Sequence, residues 1–138
     1  MNETENKEVT PSLLRYICPD NWSDQKKKAN PIDAEEIVEA IKDRKEVEII
    51  NAVIEGSFIL RSLNVESEVS IQRTKIKGPL DWSYATFKRV LNFENSIFET
   101  DATFKAVTAE KDMFLDNVTF GGFAVGCTPF LLSIIYLS

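Results

Sequence analysis

Large apolar residues recur along residues 49–125 at alternating steps of five and six. An α-helix spaces its apolar residues three or four apart, and a half-buried strand spaces them two apart. Written in blocks of eleven from Ile49, the chain aligns with itself without a gap as IINAVIEGSFI, LRSLNVESEVS, IQRTKIKGPLD, WSYATFKRVLN, FENSIFETDAT, FKAVTAEKDMF and LDNVTFGGFAV. The pattern therefore predicts a repeat protein whose unit is eleven residues long.

Four columns of this alignment are apolar or small. The first column holds Ile49, Leu60, Ile71, Trp82, Phe93, Phe104 and Leu115, and the sixth holds Ile54, Val65, Ile76, Phe87, Phe98, Ala109 and Phe120. The tenth column holds Phe58, Val69, Leu80, Leu91, Ala102, Met113 and Ala124, and the fourth holds Ala52, Leu63, Thr74, Ala85, Ser96, Val107 and Val118. Each residue of the first and sixth columns thus has an inward partner two positions earlier, which is the spacing of one side of a strand. The pattern predicts two very short strands in each block, joined by polar turns.

The runs YATFK (84–88), NSIFE (95–99) and DATFK (101–105) resemble pentapeptide repeats, whose family pattern is A-(D/N)-(L/F)-x-x. The resemblance covers residues 47–125 and implies an all-β solenoid, a right-handed quadrilateral β-helix. In that fold the interior is filled by the central Leu or Phe and by the small residue two positions before it. The sequence departs from that pattern in its alternating steps, its preference for Phe and its frequent lack of Asp or Asn before the central residue. With four faces to a coil, a coil takes two blocks, so the repeat predicts about 3.5 coils and a height of about 17 Å.

Stacking of every second block also predicts two outer ladders of alternating charge. The seventh-column residues read Glu55, Lys77 and Glu99 on one edge and Glu66, Lys88 and Glu110 on the other. Each adjacent pair of opposite charges is expected to contribute about 0.2–1 kcal/mol.

Residues 31–46 predict an α-helical cap on the first coil. Asp33 is the expected N-cap, and Glu36 three residues later completes the pattern of a capping box. The apolar face of the helix, expected over about residues 34–44, consists of Ala34, Ile37, Val38 and Ile41. A helix that binds a partner is the alternative interpretation.

Residues 1–30 are expected to form a partly disordered N-terminal segment, with the disorder over residues 1–9. The run TPSLLRYICPDNW is expected to hold a short helix opened by Thr10 and Pro11. The three lysines at 26–28 predict a solvated linker, with contact to an anionic surface as the alternative.

The C-terminal tail, residues 126–138, is apolar and contains no charged residue. It is interpreted as a cap or dimer interface, as the start of a transmembrane helix, or as the product of truncation or frame shift of a longer repeat protein. The uncharged stretch after Asp116 is long enough to span a bilayer. Glycines and a proline within it weaken a regular span.

No catalytic constellation is expected, and no residue is predicted to be catalytic, to bind a cofactor or to bind a metal. The chain has no histidine, which removes the commonest general base and metal ligand. Cys18 and Cys127 show no CxxC spacing and are expected to be free thiols in a reducing compartment. Asp101 and Asp112 are expected on opposite faces of a coil, so they form no catalytic pair. Tyr84, an aromatic residue in a polar column, is a candidate anchor for a partner.

These observations predict a cytoplasmic, non-enzymatic scaffold that mediates protein–protein interaction, with a homodimer as one arrangement. One alternative is a membrane-associated solenoid head, anchored through residues 120–138. The other is a DNA mimic that binds topoisomerases, which would need a long acidic stripe. Residues 49–120 hold ten acidic and eight basic residues, which does not favour such a stripe. The net charge of −6 also argues against direct binding of nucleic acid.

Overall fold

The chain winds into coils with four sides, and short parallel strands of successive coils stack on each side. Each coil is two blocks long, so residues two blocks apart are paired, such as Leu80 with Ala102 and Val69 with Leu91. The structure is a computed structural model, and it describes residues 6–126. Face 1 contains β4 (Glu46–Ile50), β8 (Val69–Gln72), β12 (Leu91–Asn92) and β16 (Met113–Phe114). Face 2 contains β5 (Val53–Glu55), β9 (Lys75–Ile76), β13 (Ile97–Phe98) and β17 (Thr119–Phe120). Face 3 contains β6 (Phe58–Ile59), β10 (Leu80–Asp81), β14 (Ala102–Phe104) and β18 (Ala124–Gly126). Face 4 contains β7 (Asn64–Val65), β11 (Thr86–Phe87) and β15 (Thr108–Ala109). The prediction of a β-solenoid is confirmed, with about four coils.

The predicted inward columns form the core. Every first-column residue from Ile49 to Leu115 is at most 1% exposed. The sixth column is buried as far as Phe98 and becomes partly exposed only near the end of the described chain. The ring centroids of Phe93 and Phe98 lie 5.4 Å apart in an edge-to-face arrangement, and those of Phe98 and Phe104 lie 5.9 Å apart. The regularly spaced phenylalanines are therefore packing residues, and none of the three belongs to a surface binding stripe.

Every third-column residue adopts a positive φ. The values are 57° at Asn51, 62° at Ser62, 50° at Arg73, 63° at Tyr84, 60° at Asn95, 55° at Ala106 and 58° at Asn117. The amide of Ala85 donates to the carbonyl of Trp82 at 3.1 Å, which closes a four-residue turn with the positive φ at its third position. This is the pattern of a type II turn, in which glycine or asparagine is the favoured residue.

The first described strands correct two expectations about the N-terminal segment. β1 (Lys7–Thr10) pairs antiparallel with β2 (Leu13–Ile17), and β2 pairs parallel with β4. The helix expected after Pro11 is therefore wrong, and Lys7–Thr10 is a strand where disorder was expected through residue 9. Leu14 and Tyr16 are buried while their neighbours are half-buried, which is the two-residue period of a strand.

The three lysines at 26–28 belong to a short helix, α1 (Asp24–Ala29), and the expectation of a linker is wrong. The side-chain oxygen of Ser23 caps this helix by accepting from the amide of Lys26 at 3.1 Å. The chain then forms β3 (Ile32–Asp33), which pairs in parallel with β5 of the next coil. α1 therefore lies between a strand of face 1 and a strand of face 2.

The predicted cap is α2 (Ala34–Lys42), and it packs against β4 and β6. Its four predicted apolar residues are all buried. The carboxylate of Asp33 accepts from the amide of Glu35 at 2.9 Å, which confirms Asp33 as the N-cap. The carboxylate of Glu36, however, lies 3.0 Å from Lys7 Nζ, so its side chain points to β1 and not back to Asp33 as in a capping box.

The segment from β2 to β4 makes one coil that is longer than the others. Three block lengths separate Leu13 from its partner Glu46, whereas two separate the paired residues of the later coils. The extra length accommodates both helices, and α2 follows β3 at the place in the coil where faces 3 and 4 would otherwise begin. This helix covers strand edges that would be exposed at the start of the solenoid.

The predicted charge ladders do not form as ion pairs. Among residues 6–126, no ion pair joins Lys77 or Lys88 to a glutamate of an adjacent coil. Lys75 Nζ lies 3.5 Å from Glu99 instead, and Glu66 pairs with Arg44 at 3.1 Å. An exposed ion pair contributes little free energy. A nearer charged residue or solvent can therefore replace the predicted partner.

The interpretations of the apolar tail concern residues 126–138, of which all but Gly126 lie outside the described residues. Within residues 6–126, none of the helices has the length and apolar character needed to cross a membrane.

Candidate functional site

A groove of about 630 Å³ runs between α1 and the outer side of face 2. Its lining comes from α1, from the first three coils of face 2 and from the turns that precede them. The lining residues are Asp24, Gln25, Lys27, Lys28, Ala52, Val53, Arg73, Thr74, Lys75, Lys77, Asn95, Ile97 and Glu99. Its volume lies in the range of ordinary ligand sites.

The α1 wall is held to the solenoid by hydrogen bonds on both sides of the helix. The hydroxyl of buried Tyr16 donates to the carbonyl of Asn30, the C-cap of α1, at 2.7 Å. Ahead of the helix, the side-chain Nδ2 of Asn51 donates to the carbonyls of Cys18 and Pro19 at 3.1 and 3.2 Å. Because these bonds use half-buried groups, they stabilise the position of α1 relative to face 2.

The groove is positively charged although the whole chain is acidic. Its lining contains five basic and two acidic side chains, in a chain whose net charge is −6. The remaining surface therefore carries all of the negative excess. A concave positive region on a negative surface attracts anionic groups selectively.

Two of the lysines have no charged partner within the described residues. Lys28 and Lys77 form no ion pair there, whereas Lys27 Nζ lies 3.3 Å from Asp24 and Lys75 Nζ lies 3.5 Å from Glu99. The exposed carboxylates in these pairs contribute little to stability. The existing pairs therefore leave the groove able to accept further anionic groups.

The position of the basic row follows from the repeat. Thr74 and Ile76 point inward and are buried, so Lys75 between them points outward, and Lys77 continues the alternation. Val53 and Ile97 occupy the same register position as Lys75, one coil before and one coil after it. Ile97 is 39% exposed and adds an apolar contact surface beside the charges.

A second groove, of about 670 Å³, differs in its electrostatics. Its arginines are largely paired, since Arg44 lies 3.1 Å from Glu66 and Arg15 lies 2.8 Å from Glu48. This second groove therefore offers less uncompensated charge than the groove beside α1.

Tyr84 is exposed by 44% and lies between two cations. The guanidinium of Arg61 is 5.5 Å from the ring centroid and Lys105 Nζ is 5.9 Å from it. The structure thus places the candidate anchor at the turn between faces 3 and 4, away from the groove beside α1. Its cation contacts are of the weak, exposed kind.

The remaining residues examined for chemistry are dispersed. Asp101 precedes β14 on face 3 and Asp112 precedes β16 on face 1, so their expected separation on opposite faces is confirmed. Cys18 is buried, and burial raises the pKa of its thiol, while Cys127 lies outside the described residues. Within residues 6–126, no three His, Cys, Asp or Glu side chains are grouped so that they could hold a metal ion.

The groove was not predicted from the sequence, although both of its basic clusters were visible. The sequence pattern favours a linker for the lysines at 26–28 and a charge ladder centred on Lys77. Nothing local shows that α1 lies over face 2, because this depends on the parallel pairing of β2 with β4 and of β3 with β5. The only local indication of a basic outer surface is the alternation of Lys75 and Lys77 with the inward residues Thr74 and Ile76.

No family model matches the chain, and comparison with curated proteins and with solved structures found no significant match. The fold therefore rests on the repeat pattern and on the strand pairing described above.

Proposed function

We propose that this chain is a non-catalytic, cytoplasmic scaffold of the pentapeptide-repeat type that binds another protein through the groove beside α1. The observation that carries the proposal is the concentration of five basic side chains in one groove of an acidic molecule. Lysines that only keep a surface solvated do not have to be clustered in a groove. A cluster of basic side chains is, however, complementary to a partner surface of negative charge.

The stacked coils supply the rigidity that a scaffold needs. The amides of Lys75, Lys77 and Ile97 donate to carbonyls of the preceding coil at 3.0, 3.0 and 2.9 Å. Since the interior is filled by interlocking aromatic rings, the outer faces have little freedom to rearrange. Such a surface binds with a small loss of conformational entropy.

The family assignment rests on the repeat itself. Leu or Phe with a small residue two positions earlier recurs at Ala85 and Phe87, at Ser96 and Phe98, and at Ala102 and Phe104, all of them buried. The alternating steps of five and six fit this assignment, because a four-sided coil can take a longer turn at every second corner.

The charge distribution favours an interaction scaffold over a DNA mimic. A mimic of DNA needs a continuous acidic stripe along the solenoid, and on face 2 such a stripe is interrupted by Arg73, Lys75 and Lys77.

Site-specific photocrosslinking tests the proposal. A photoreactive phenylalanine analogue at Ile97, inside the groove, is expected to give a discrete protein adduct in cells of the native host. The same analogue at Thr108, exposed on face 4, is the matched control. Identification of the adduct by mass spectrometry gives the partner.

The charge variant Lys75→Glu/Lys77→Glu in the Ile97-labelled chain is expected to abolish that adduct. Adducts of equal identity and yield from Ile97 and Thr108, or adducts that persist in the charge variant, would contradict a role for the groove.

A further inference from the structure

The spacing of the basic side chains in the groove restricts what they can recognise. Lys75 begins β9 and Lys77 directly follows the last residue of that strand, so their Cα atoms are separated by about 6.5 Å. Arg73 continues the row at the preceding turn, and Lys28 faces it from α1. One wall of the groove therefore carries Lys75 and Lys77 at the interval of a β-strand, with further positive charges at Arg73 and Lys28.

An extended peptide presents same-side residues at the same interval. Carboxylates at every second position of such a peptide would each meet one cation of the row. Contiguous carboxylates on an extended chain would not keep this register, because every second one points away from the row. We propose that the groove binds an extended segment of a partner protein that has acidic side chains at alternate positions. This inference rests on the proposed function, because it names the class of partner for the same groove.

The described pairs are compatible with an incoming acidic segment. Glu99 lies 3.5 Å from Lys75, and its side chain is 34% exposed. Asp20, whose side chain is 81% exposed, lies 3.3 Å from Arg73. Exchanging such exposed partners for carboxylates of a ligand costs little, since exposed ion pairs contribute little to stability.

Ile97 gives the groove an apolar contact for the same ligand. It lies one coil beyond Lys75 in the strand register and is 39% exposed. A ligand that follows the basic row would cover this side chain, which adds affinity through burial of apolar surface. The groove thus recognises an acidic strand that also carries apolar residues.

The lining on face 2 lacks the aromatic side chains and the free backbone amides that many nucleic-acid and phosphate sites use. It contains no aromatic side chain on which a base could stack. The backbone amides of Arg73, Lys75 and Lys77 are engaged in bonds to neighbouring coils at 3.0 Å each, so they cannot donate to a phosphate. Ligands that carry separate carboxylates along a chain fit the groove better.

Fluorescence anisotropy with defined peptides tests this inference on the full chain. The probe is a fluorescein-labelled octapeptide in which glutamate alternates with threonine and valine. The comparison peptide has the same composition, with its four glutamates contiguous. At about 0.15 M salt, the alternating peptide is expected to bind at least fivefold more tightly than the contiguous one. Equal affinities would show non-specific attraction and overturn the inference.

Charge reversal assigns the binding to the groove. Lys75→Glu/Lys77→Glu is expected to weaken binding of the alternating peptide more than tenfold, and Lys75→Gln/Lys77→Gln by an intermediate factor. The matched control Lys88→Glu/Arg89→Glu makes the same change of charge outside the groove and is expected to leave affinity within twofold. Circular dichroism confirms that each variant is folded. An equal loss in the control and groove variants would overturn the assignment to the groove.

Competition distinguishes the class of ligand. Inorganic phosphate and a single-stranded oligonucleotide, each at the charge concentration of the peptide, are expected to displace the probe poorly. Stronger displacement by either would overturn the inference in favour of that ligand class. If the peptides fail to bind while Ile97 still gives its adduct in cells, the scaffold function stands and only the acidic-strand inference fails.

Discussion

Replacing Ala106 by glycine is expected to stabilise the solenoid, although glycine usually weakens a folded chain. Ala106 has a φ of 55°, and its side chain is exposed. All other third-column residues also have a positive φ. A Cβ atom in this left-handed conformation is crowded by the following carbonyl. The substitution removes the crowding without removing any buried surface.

The magnitude follows from two opposing terms. Relief of the left-handed conformation is worth about 1–2 kcal/mol. The extra freedom of glycine in the unfolded chain offsets about 0.4–1 kcal/mol of this gain. The expected net increase in the free energy of unfolding is about 0.5–1 kcal/mol, which corresponds to a rise of roughly 2–4 °C in Tm.

Urea unfolding followed by circular dichroism measures this change as a higher midpoint at constant slope. The matched control is Ala29→Gly, an exposed alanine at the end of α1. There the same substitution is expected to destabilise by about 0.5–1 kcal/mol, since glycine is a poor helix former. If Ala106→Gly lowers the midpoint as Ala29→Gly does, the turn geometry of the third column is wrong.

Three further predictions concern the turn at Gly78, the core residue Trp82 and the carboxylate of Asp81. Gly78→Ala would place a Cβ in steric overlap with the backbone carbonyl of Gly56, so it is expected to lower the free energy of unfolding by about 3 kcal/mol. A urea midpoint within experimental error of the parent would contradict the close approach of these two turns. Trp82→Ala is expected to cost about 3–5 kcal/mol in urea unfolding, because Trp82 is fully buried with four aromatic neighbours; a loss below about 1 kcal/mol would show that the centre of the core is loosely packed. Partial burial acts to raise the pKa of Asp81, but hydrogen bonds from Ser83 and Arg61 outweigh it and hold that pKa below its ordinary value. Its stabilising contribution is therefore present above about pH 4 and lost as the pH falls through the lowered folded pKa. Asp81→Asn should consequently be less stable than the parent at neutral pH and equal to it in strong acid, and a loss of the same size at both pH values would refute this assignment.

The coil was predictable because its geometry is repeated in the sequence. Each block places a large residue such as Phe98 two positions after a small one such as Ser96, and only an inward orientation of both buries the ring. A residue that departs from the pattern in one block does not change the prediction, because the other six blocks keep the pattern. The cap was predictable for a different reason, since Asp33 and the apolar face of α2 are local signals.

The start of the chain was harder to predict because its structure depends on distant partners. Leu13–Ile17 becomes a strand by pairing with Glu46–Ile50, which follows it only after both helices. Alternation over five residues is too short to distinguish a strand from a helical turn. The same dependence hid the groove, because Lys28 and Lys77 come together only after both ends of this long coil are in place.

The two periods of the chain also restrict how such a protein can change its length during evolution. The interior repeats with every block of eleven, whereas a face returns only after two blocks. A duplication of one block before Ile71 would keep the core filled, but it would move Lys75 and Lys77 from face 2 to the opposite face, away from α1. A duplication of two blocks beyond Glu99 would lengthen the rod and leave the groove intact. Lineages that retain this groove should therefore differ in length by whole coils.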